Sequence, residues 1–226
     1  MRWVKLFLVW IAACLMLGST ATASVSVSPV VIEGVEAEVG QVFEVLCHNG
    51  GEEAVAVDLS LALFDQDDTG RVVLLEDAEA IAKAAHYLNV ITQDLSLEAM
   101  EQRMIQVELM RDDFDSLYAV LFVKPRQEGV QARLAVLFLL STVGSGIQAD
   151  MAISTLVKPR EALTLTVENK GISHSPWEGE LHFFDAFDYL CEKRQVTSGL
   201  VLPGRSRGLQ VSLPPWVHRV EVRTAR

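Results

Sequence analysis

Cysteine is scarce in this chain, with three residues among 226. One lies in an apolar N-terminal segment, whereas Cys47 and Cys191 lie far apart, in different halves of the remaining chain. Small secreted folds that depend on a disulfide framework carry more cysteines than this. We therefore expect Cys47 and Cys191 to be two buried free thiols, with a single bridge between the halves as the alternative.

Basic residues are also few, since 19 Lys and Arg stand against 30 Asp and Glu, a formal net charge of −11 at pH 7. An acidic chain repels phosphate backbones, so the composition argues against nucleic-acid binding. It favours a well-solvated surface, which keeps a protein soluble.

Recognisable catalytic and cofactor motifs are missing from the sequence. No glycine-rich phosphate loop follows a predicted strand, and no G-x-S-x-G nucleophile motif occurs. The histidines do not pair with one another or with cysteine at the spacing of a metal site. They are His48, His86, His174, His182 and His218. We expect a protein that is not an enzyme and binds no cofactor and no metal.

A long apolar run occurs once, at residues 6–18, directly after Arg2 and Lys5. The small residues of Ala21-Thr22-Ala23 follow, and this combination is typical of a bacterial export signal cleaved after Ala23. Residues 11–14, Ile-Ala-Ala-Cys, also resemble a lipoprotein signal, although the chain after this cysteine continues the apolar run.

Removal of residues 1–23 would take away two basic residues and no acidic one. The mature chain would then carry 17 basic and 30 acidic residues, a net charge of −13. No second apolar run is long enough to span a bilayer as a helix. We expect a periplasmic or secreted protein without a membrane span after cleavage.

Helical patterns are rare, and most of the chain has the period of two that is typical of β-strands. Residues 55–63 are the clearest case, because five apolar residues alternate with small or polar ones. Residues 76–85 favour a short helix instead. Short strands with frequent turn signals predict an all-β protein of antiparallel β-sandwiches. Gly144-Ser145-Gly146 is the best boundary, which gives two domains, 24–144 and 147–226.

Two predicted strands near the middle of the chain, residues 117–123 and 134–140, are apolar on both faces. Pro125 and Gly129 mark the turn between them. A strand with one face in water alternates apolar and polar residues, so both faces of this hairpin should be covered. The simpler interpretation is the central hairpin of a β core. The other interpretation is that one face of the second strand is kept apolar for a partner.

Residues 65–76 have the spacing of an EF-hand calcium loop, with acidic side chains at alternating positions, Gly70 at the bend and Glu76 as the twelfth residue. However, the segment joins two β-patterned stretches and lacks the incoming helix. We therefore predict an acidic hairpin turn.

Several segments resemble the PapD-like periplasmic proteins, that is, the immunoglobulin-like pilus chaperones and their relatives. Segments of the first half are similar to strands B, C, F and G of the family's N-terminal domain: VLCHNGG at 45–51, LALFDQDDTGRV at 61–72, DSLYAVLFVKP at 115–125, and residues 133–143. Two segments of the second half are similar to the family's second domain: LTVENKG at 165–171 and VLPGRSRGLQVSLP at 201–214.

The resemblance implies two immunoglobulin-like antiparallel β-sandwich domains in tandem, without catalysis. Family chaperones add a strand to a pilus subunit, a mode in which backbone hydrogen bonds give affinity and alternate side chains give specificity. They also anchor the subunit's C-terminal carboxylate with an Arg of the first strand and a Lys of strand G. Here residues 24–33 contain no Arg, residues 141–146 contain no Lys, and Arg133 lies too early in strand G to match.

We therefore expect a chaperone-like or accessory binding protein that helps to assemble a pilus or another surface structure and binds a pilin-like or other surface subunit. The alternative is a structural or adhesive envelope protein with no chaperone role. In an alignment with the family, one face of strand G is directed towards the partner, and Leu137 and Leu139 are directed into the core. The predicted partner-binding residues are Leu134, Val136, Phe138 and Leu140.

Overall fold

A computed structural model of the chain describes residues 25–126, 132–142, 150–158 and 162–224. The predicted export signal at residues 1–23 and the predicted boundary at residues 144–146 lie outside these ranges.

The first half of the described chain contains ten strands and one helix. In chain order they are β1 (Val25–Ser28), β2 (Val31–Gly34), β3 (Val42–Asn49), β4 (Val55–Gln66), β5 (Val72–Leu75), α1 (Ala78–Tyr87), β6 (Leu88–Val90), β7 (Leu95–Leu97), β8 (Gln102–Leu109), β9 (Ser116–Pro125) and β10 (Leu134–Ser141). One sheet has the order β1-β3-β8-β6. The other has the order β2-β10-β9-β4-β5, and β7 also pairs with β4.

The second half contains six strands. They are β11 (Met151–Lys158), β12 (Ala162–Asn169), β13 (Ser175–Phe184), β14 (Leu190–Val201), β15 (Ser206–Ser212) and β16 (Arg219–Thr224). They form two three-stranded sheets, with the orders β11-β12-β15 and β14-β13-β16.

Each half packs its two sheets around its own apolar core, which confirms the predicted tandem β-sandwiches. In the first domain, the inward side chains of the alternating β4 segment pack against those of β3, β8, β9 and β10. In the second domain, Leu163, Leu165 and Val167 of β12 pack against Trp177 and Leu181 of β13.

The predicted helix at residues 76–85 is found at Ala78–Tyr87, two residues later. The shift has a local cause, because the Asp77 carboxylate accepts a hydrogen bond from the backbone N–H of Ala80 at 2.9 Å and so caps the helix. Pro29 separates β1 from β2, so the start of the described chain contributes one strand to each sheet of the first domain.

Strand β11 was not predicted. It pairs with β12 over eight residues, from Met151 opposite Asn169 to Lys158 opposite Ala162. Its sequence, MAISTLVK, has no clear period of two, so only its pairing partner identifies it as a strand.

The two described cysteines are unbonded, as expected, but only one of them is buried. Cys47 lies in the first core, and burial raises the pKa of its thiol to about 11. Cys191 is exposed, so the prediction that it is buried is wrong. It stands near the start of β14, an edge strand, where one side of the chain faces water.

The acidic segment after β4 forms the predicted turn. The carboxylate of Asp67 accepts hydrogen bonds from the backbone N–H groups of Thr69, at 2.8 Å, and Arg71, at 2.9 Å. Asp65 forms an ion pair with Arg205. Two carboxylates of the apparent calcium loop therefore already have partners within the protein.

Candidate partner-binding site

Strand β10 has a complete neighbour on one side and an incomplete neighbour on the other. It is antiparallel to β9 along its whole length, from Leu134 opposite Val123 to Ser141 opposite Ser116. It is parallel to β2 only from Leu137 to Leu140. The first three residues of β10 therefore have no described neighbour on the β2 side.

The open edge presents backbone groups to solvent. The N–H of Leu137 donates to the carbonyl of Val30 at 2.9 Å, so the N–H groups of odd-numbered residues point away from β9. Because the direction alternates along an antiparallel strand, the N–H and C=O of Ala135 also point to the open edge. Ala135 is exposed. This edge can accept an added strand.

The predicted partner-facing residues of β10 lie on the inner face of the first domain. Val136, Phe138 and Leu140 are fully buried in its core, and half-buried Leu134 packs against the same core. The ring of Phe138 makes an edge contact with that of Phe43, with 5.7 Å between the ring centroids. The face assignment is therefore wrong, because these side chains fill the space between the two sheets.

The opposite face of β10 belongs to a second apolar cluster. Leu139 is 2 % exposed and Leu137 is half-buried. They lie beside outward side chains of β4 and β9, and Leu200 and Leu202 of the second domain cover them. The members of this outer cluster are Ala62, Phe64, Tyr118, Val120, Phe122, Leu137, Leu139, Leu200 and Leu202. Both faces of β10 are covered, as predicted, but by the first core and by the second domain.

Gln66, at the end of β4, connects the two domains through its side-chain amide. Its Oε1 accepts a hydrogen bond from the backbone N–H of Leu202 at 3.1 Å, and its Nε2 donates to the carbonyl of Leu200 at 2.9 Å. Nε2 also donates to the carbonyl of Gly70 at 3.1 Å. The side chain is 8 % exposed, so these bonds satisfy polar groups that water reaches poorly.

Further polar contacts surround the outer cluster. Arg205 of the second domain donates from Nε to the Asp65 carboxylate at 2.7 Å. The hydroxyl of Tyr118 and Nδ1 of His174 lie 3.3 Å apart, and Tyr118 is half-buried. Burial raises the pKa of Tyr118 to about 12, so its hydroxyl stays protonated and can donate to the histidine. These contacts hold the second domain against the outer face of β10.

A cavity of about 330 Å³ lies between the domains beside β10. Its walls are mainly apolar and include Val31, Leu137 and Leu202, and Glu33 and Arg207 supply charge. The side chain of Arg207 makes no hydrogen bond or ion pair with any residue in the described part of the chain. Its guanidinium is therefore available to an anion.

Two glycines make room for the Arg207 side chain. A Cβ atom on Gly70 would overlap its Nε and Cδ atoms, and a Cβ on Gly199 would lie 2.9 Å from Nη1. Both glycines have positive φ, 81° and 61°, which side chains rarely tolerate. One glycine belongs to each domain, so both domains position this cation.

Within the described ranges, no group of three or more His, Cys, Asp or Glu is placed to hold a metal ion. No helix in the same ranges has both the length and the apolarity that a membrane span requires.

Sequence reasoning did not single out Gln66 or Arg207. In the sequence, Gln66 is a polar residue at the end of an apolar strand. Such a residue ordinarily indicates that the strand ends there and says nothing of a contact between domains. Arg207 lay within the segment that resembles the family's second domain. Its position in the cavity depends on packing between residues that are distant in sequence.

No protein-family model and no curated protein matches the sequence. Solved structures do match it. A chain from a chaperone–tip adhesin complex of CFA/I fimbriae aligns with a TM-score of 0.56 at 11 % identity, covering 89 % of this chain and 94 % of that one. The class 5 fimbriae chaperone CfaA aligns with a TM-score of 0.55 at 10 % identity, covering 89 % and 98 %.

A chain of the CsuC–CsuE chaperone–tip subunit complex of Acinetobacter baumannii aligns with a TM-score of 0.51 at 15 % identity, covering 84 % of this chain and 91 % of that one. At sequence identities this low, the structural similarity establishes a shared fold and nothing more. The protein therefore has the two-domain immunoglobulin-like fold of the PapD-like fimbrial chaperones, as its sequence segments predicted.

Proposed function

We propose that the protein is an exported, chaperone-like binding protein for assembly of a pilus or another surface structure, and that it holds a subunit by β-strand addition along the open edge of β10. The observation that supports this most is the incomplete pairing of β10, since no described residue pairs with the backbone of Ala135 on the β2 side. The fold shared with fimbrial chaperones agrees with this role.

Because most side chains of β10 are buried, its backbone would form most of the contact with the subunit. Val136, Phe138 and Leu140 are enclosed in the core and cannot reach a partner without opening the domain. Backbone groups of Ala135 supply the hydrogen bonds instead, and half-buried Leu134 is the member of the predicted set that can add a side-chain contact. Affinity would then come chiefly from the backbone.

The cavity between the domains offers a second contact. Leu137 lines it and lies two residues, about 7 Å, from Ala135 along the strand. A segment paired with the open edge can therefore continue into the cavity, where Arg207 is free to form a charge-assisted hydrogen bond with a carboxylate. We propose that Arg207 takes the anion-binding role that the family assigns to residues absent from this sequence.

Proline at position 135 tests the edge directly. The N–H of Ala135 points away from β9, so Ala135→Pro removes an edge donor and keeps the β9 pairing. The matched control, Ala135→Ser, retains the donor. We expect the protein purified from its own host to carry a surface subunit, identified by mass spectrometry, and Ala135→Pro to lose it while Ala135→Ser keeps it. Equal recovery with both variants, at equal thermal stability, would exclude the edge as the site.

Arg207→Gln tests the cavity, with Arg223→Gln as a control that removes an exposed positive charge from the same domain. We expect weaker subunit recovery for Arg207→Gln alone. Finding this protein as a lasting component of the assembled surface structure would instead support the structural or adhesive role.

A further inference from the structure

The second domain has an exposed aromatic surface at the end of β13 that lies away from the interdomain contact of His174. Strand β13 begins next to the interdomain contact of His174 and ends at Phe184. The turn at residues 185–189 follows, and the loop at residues 213–218 lies beside it, because the N–H of His218 donates to the carbonyl of Phe184 at 2.8 Å.

Four large side chains, on these two loops and at the start of β14, stand in solvent. Phe187 is 81 % exposed, Tyr189 70 %, Leu190 44 % and Trp216 42 %. We call Phe187, Tyr189, Leu190 and Trp216 the aromatic tip. Large exposed apolar patches on a protein mark sites of interaction, and exposed aromatic residues clustered at one end of a molecule form such a patch.

The first loop satisfies most of its backbone N–H groups internally. The Asp185 carboxylate accepts hydrogen bonds from the N–H groups of Phe187, at 2.8 Å, and Tyr189, at 3.0 Å. The N–H of Asp188 donates to the carbonyl of Asp185 at 3.1 Å, and the N–H of Asp185 donates to that of Tyr189 at the same distance. These N–H groups therefore need no water molecule as a hydrogen-bond acceptor.

The second loop needs little water for its donors either. Pro214 and Pro215 have no N–H to satisfy. The N–H of Val217 donates to the carbonyl of Pro214 at 3.1 Å, and His218 is bonded as described above. A backbone with most of its donors satisfied internally can enter a medium poor in water at a reduced cost.

The guanidinium of Arg219, at the base of the tip, is paired with two carboxylates, those of Asp188 and Glu221. Asp188 binds the guanidinium of Arg219 through Nε at 2.8 Å and Nη2 at 2.7 Å, and this pair ties the two loops together. The same guanidinium lies over the ring of Phe184, 3.8 Å from its centroid. The tip therefore has no basic patch that would attract anionic lipid headgroups.

We propose that the aromatic tip inserts into the interfacial region of a lipid bilayer with zwitterionic headgroups. Tyr and Trp have an apolar body and a polar end, which suits the boundary between headgroups and acyl chains. The rigid, internally bonded loops lose little freedom on insertion.

Other occupants fit the tip less well. The four side chains can bury on the order of 500 Å², less than the roughly 800 Å² per partner of a standard protein interface. A second copy would therefore form a weak dimer. A glycan would require free polar groups beside the rings, but the Asp185 and Asp188 carboxylates are already engaged.

The test is flotation with phosphatidylcholine vesicles, using the protein as its host processes it, after its N-terminal sequence has been determined. All variants share that N-terminus. If the apolar run at residues 6–18 is retained, it therefore contributes equally to vesicle binding by every variant. The tip variant is Phe187→Ser/Tyr189→Ser/Trp216→Ser. The control, Val42→Ser/Ile91→Ser/Met104→Ser, changes three side chains of the first domain that are 43 %, 42 % and 44 % exposed.

We expect the tip variant to lose more than about tenfold in vesicle partitioning, with a circular dichroism melt like that of the wild type, and the control to bind as the wild type does. Binding should persist in high salt and should not increase with phosphatidylglycerol. If the triple tip variant fails to fold, Phe187→Ser alone serves, because this side chain is almost fully exposed.

Three results would overturn the proposal. The first is that the folded tip variant partitions like the wild type. The second is binding that requires anionic lipid and disappears in salt. The third is absence of wild-type binding, whether or not sedimentation shows a tip-dependent dimer. None of these results bears on subunit capture by β10, so the two proposals fail independently.

Discussion

The two faces of β10 have similar side chains but different neighbours. The inner face, with Val136, Phe138 and Leu140, fills the core between the two sheets of the first domain. The outer face, with Leu137 and Leu139, meets Leu202 of the second domain. Apolar residues on both sides of a strand therefore show that both sides are buried, but they do not show which neighbour buries each side.

The difference between the faces predicts different consequences of the same substitution. A charge on the inner face lies inside a single folding unit. A charge on the outer face lies in a contact between two units, each with its own core, and the units can separate to expose it.

The largest effect is expected for Phe138→Asp. This substitution removes a fully buried ring and leaves an unpaired carboxylate in the core, which costs several kcal/mol and should prevent the first domain from folding. Near-UV circular dichroism and a urea titration measure it. A cooperative urea transition close to that of the wild type would show that Phe138 is not enclosed in the core.

A smaller effect is expected for Leu139→Asp. We expect the first domain to fold and the second to detach, because the charge reaches water once Leu202 moves away. Calorimetry should show the unfolding separate into two transitions. Ala135→Asp places the same charge on an exposed position of the same face and should leave the melt nearly unchanged. Loss of all structure in Leu139→Asp would mean that the outer face belongs to the first core.

Gln66→Ala should weaken the contact between the domains without affecting either core. It leaves the N–H of Leu202 and the carbonyl of Leu200 without their partner, at a cost of about 1–3 kcal/mol. The free energy of unfolding from urea titrations measures this cost. Gln210→Ala, at an exposed position of β15, is the matched control. Equal stability of the two variants would refute the role given to Gln66.

The smallest effect is expected from pH. Burial lowers the pKa of His174 below its ordinary value of 6.5, and the charge of Glu33 opposes this shift. The neutral imidazole beside Tyr118 therefore contributes stability that is fully present above pH 6.5 and is lost as the pH falls through the lowered pKa.

We expect a lower melting temperature at about pH 5 than at about pH 7, and a smaller decrease in His174→Gln. His218→Gln is the control, since this residue lies far from the interdomain contact. If the decrease is the same in all three proteins, other groups are responsible for it.

Local patterns made much of the fold predictable. Asn49 and Asn169 each end a predicted strand before a glycine, and both are fully buried. In each case the side-chain amide donates to a carbonyl four residues later, at 2.7 Å for Asn49 and 2.9 Å for Asn169, and the oxygen accepts from the N–H two residues later. The same short signal builds the same turn in both domains.

The candidate site was less predictable, because it depends on contacts between distant residues. Alternation in β10 cannot distinguish Phe138 from Leu139, since both belong to apolar faces. The family alignment predicts that Phe138 faces the partner and Leu139 the core, and the structure shows the opposite arrangement. Arg207 and Leu137 are 70 positions apart in the sequence, and only the packing of the two domains makes them line the same cavity.

Thiol accessibility tests the central claim most directly. In a Cys191→Ser background, Leu139→Cys and Leu140→Cys place one thiol on each face of β10, and Leu202→Asp is added to separate the domains. Labelling by a maleimide is mapped on peptides by mass spectrometry. We predict that domain separation makes the thiol at position 139 reactive and leaves that at position 140 protected, as it leaves Cys47. A reactive thiol at position 140 with a protected thiol at position 139 would contradict the assignment of the two faces.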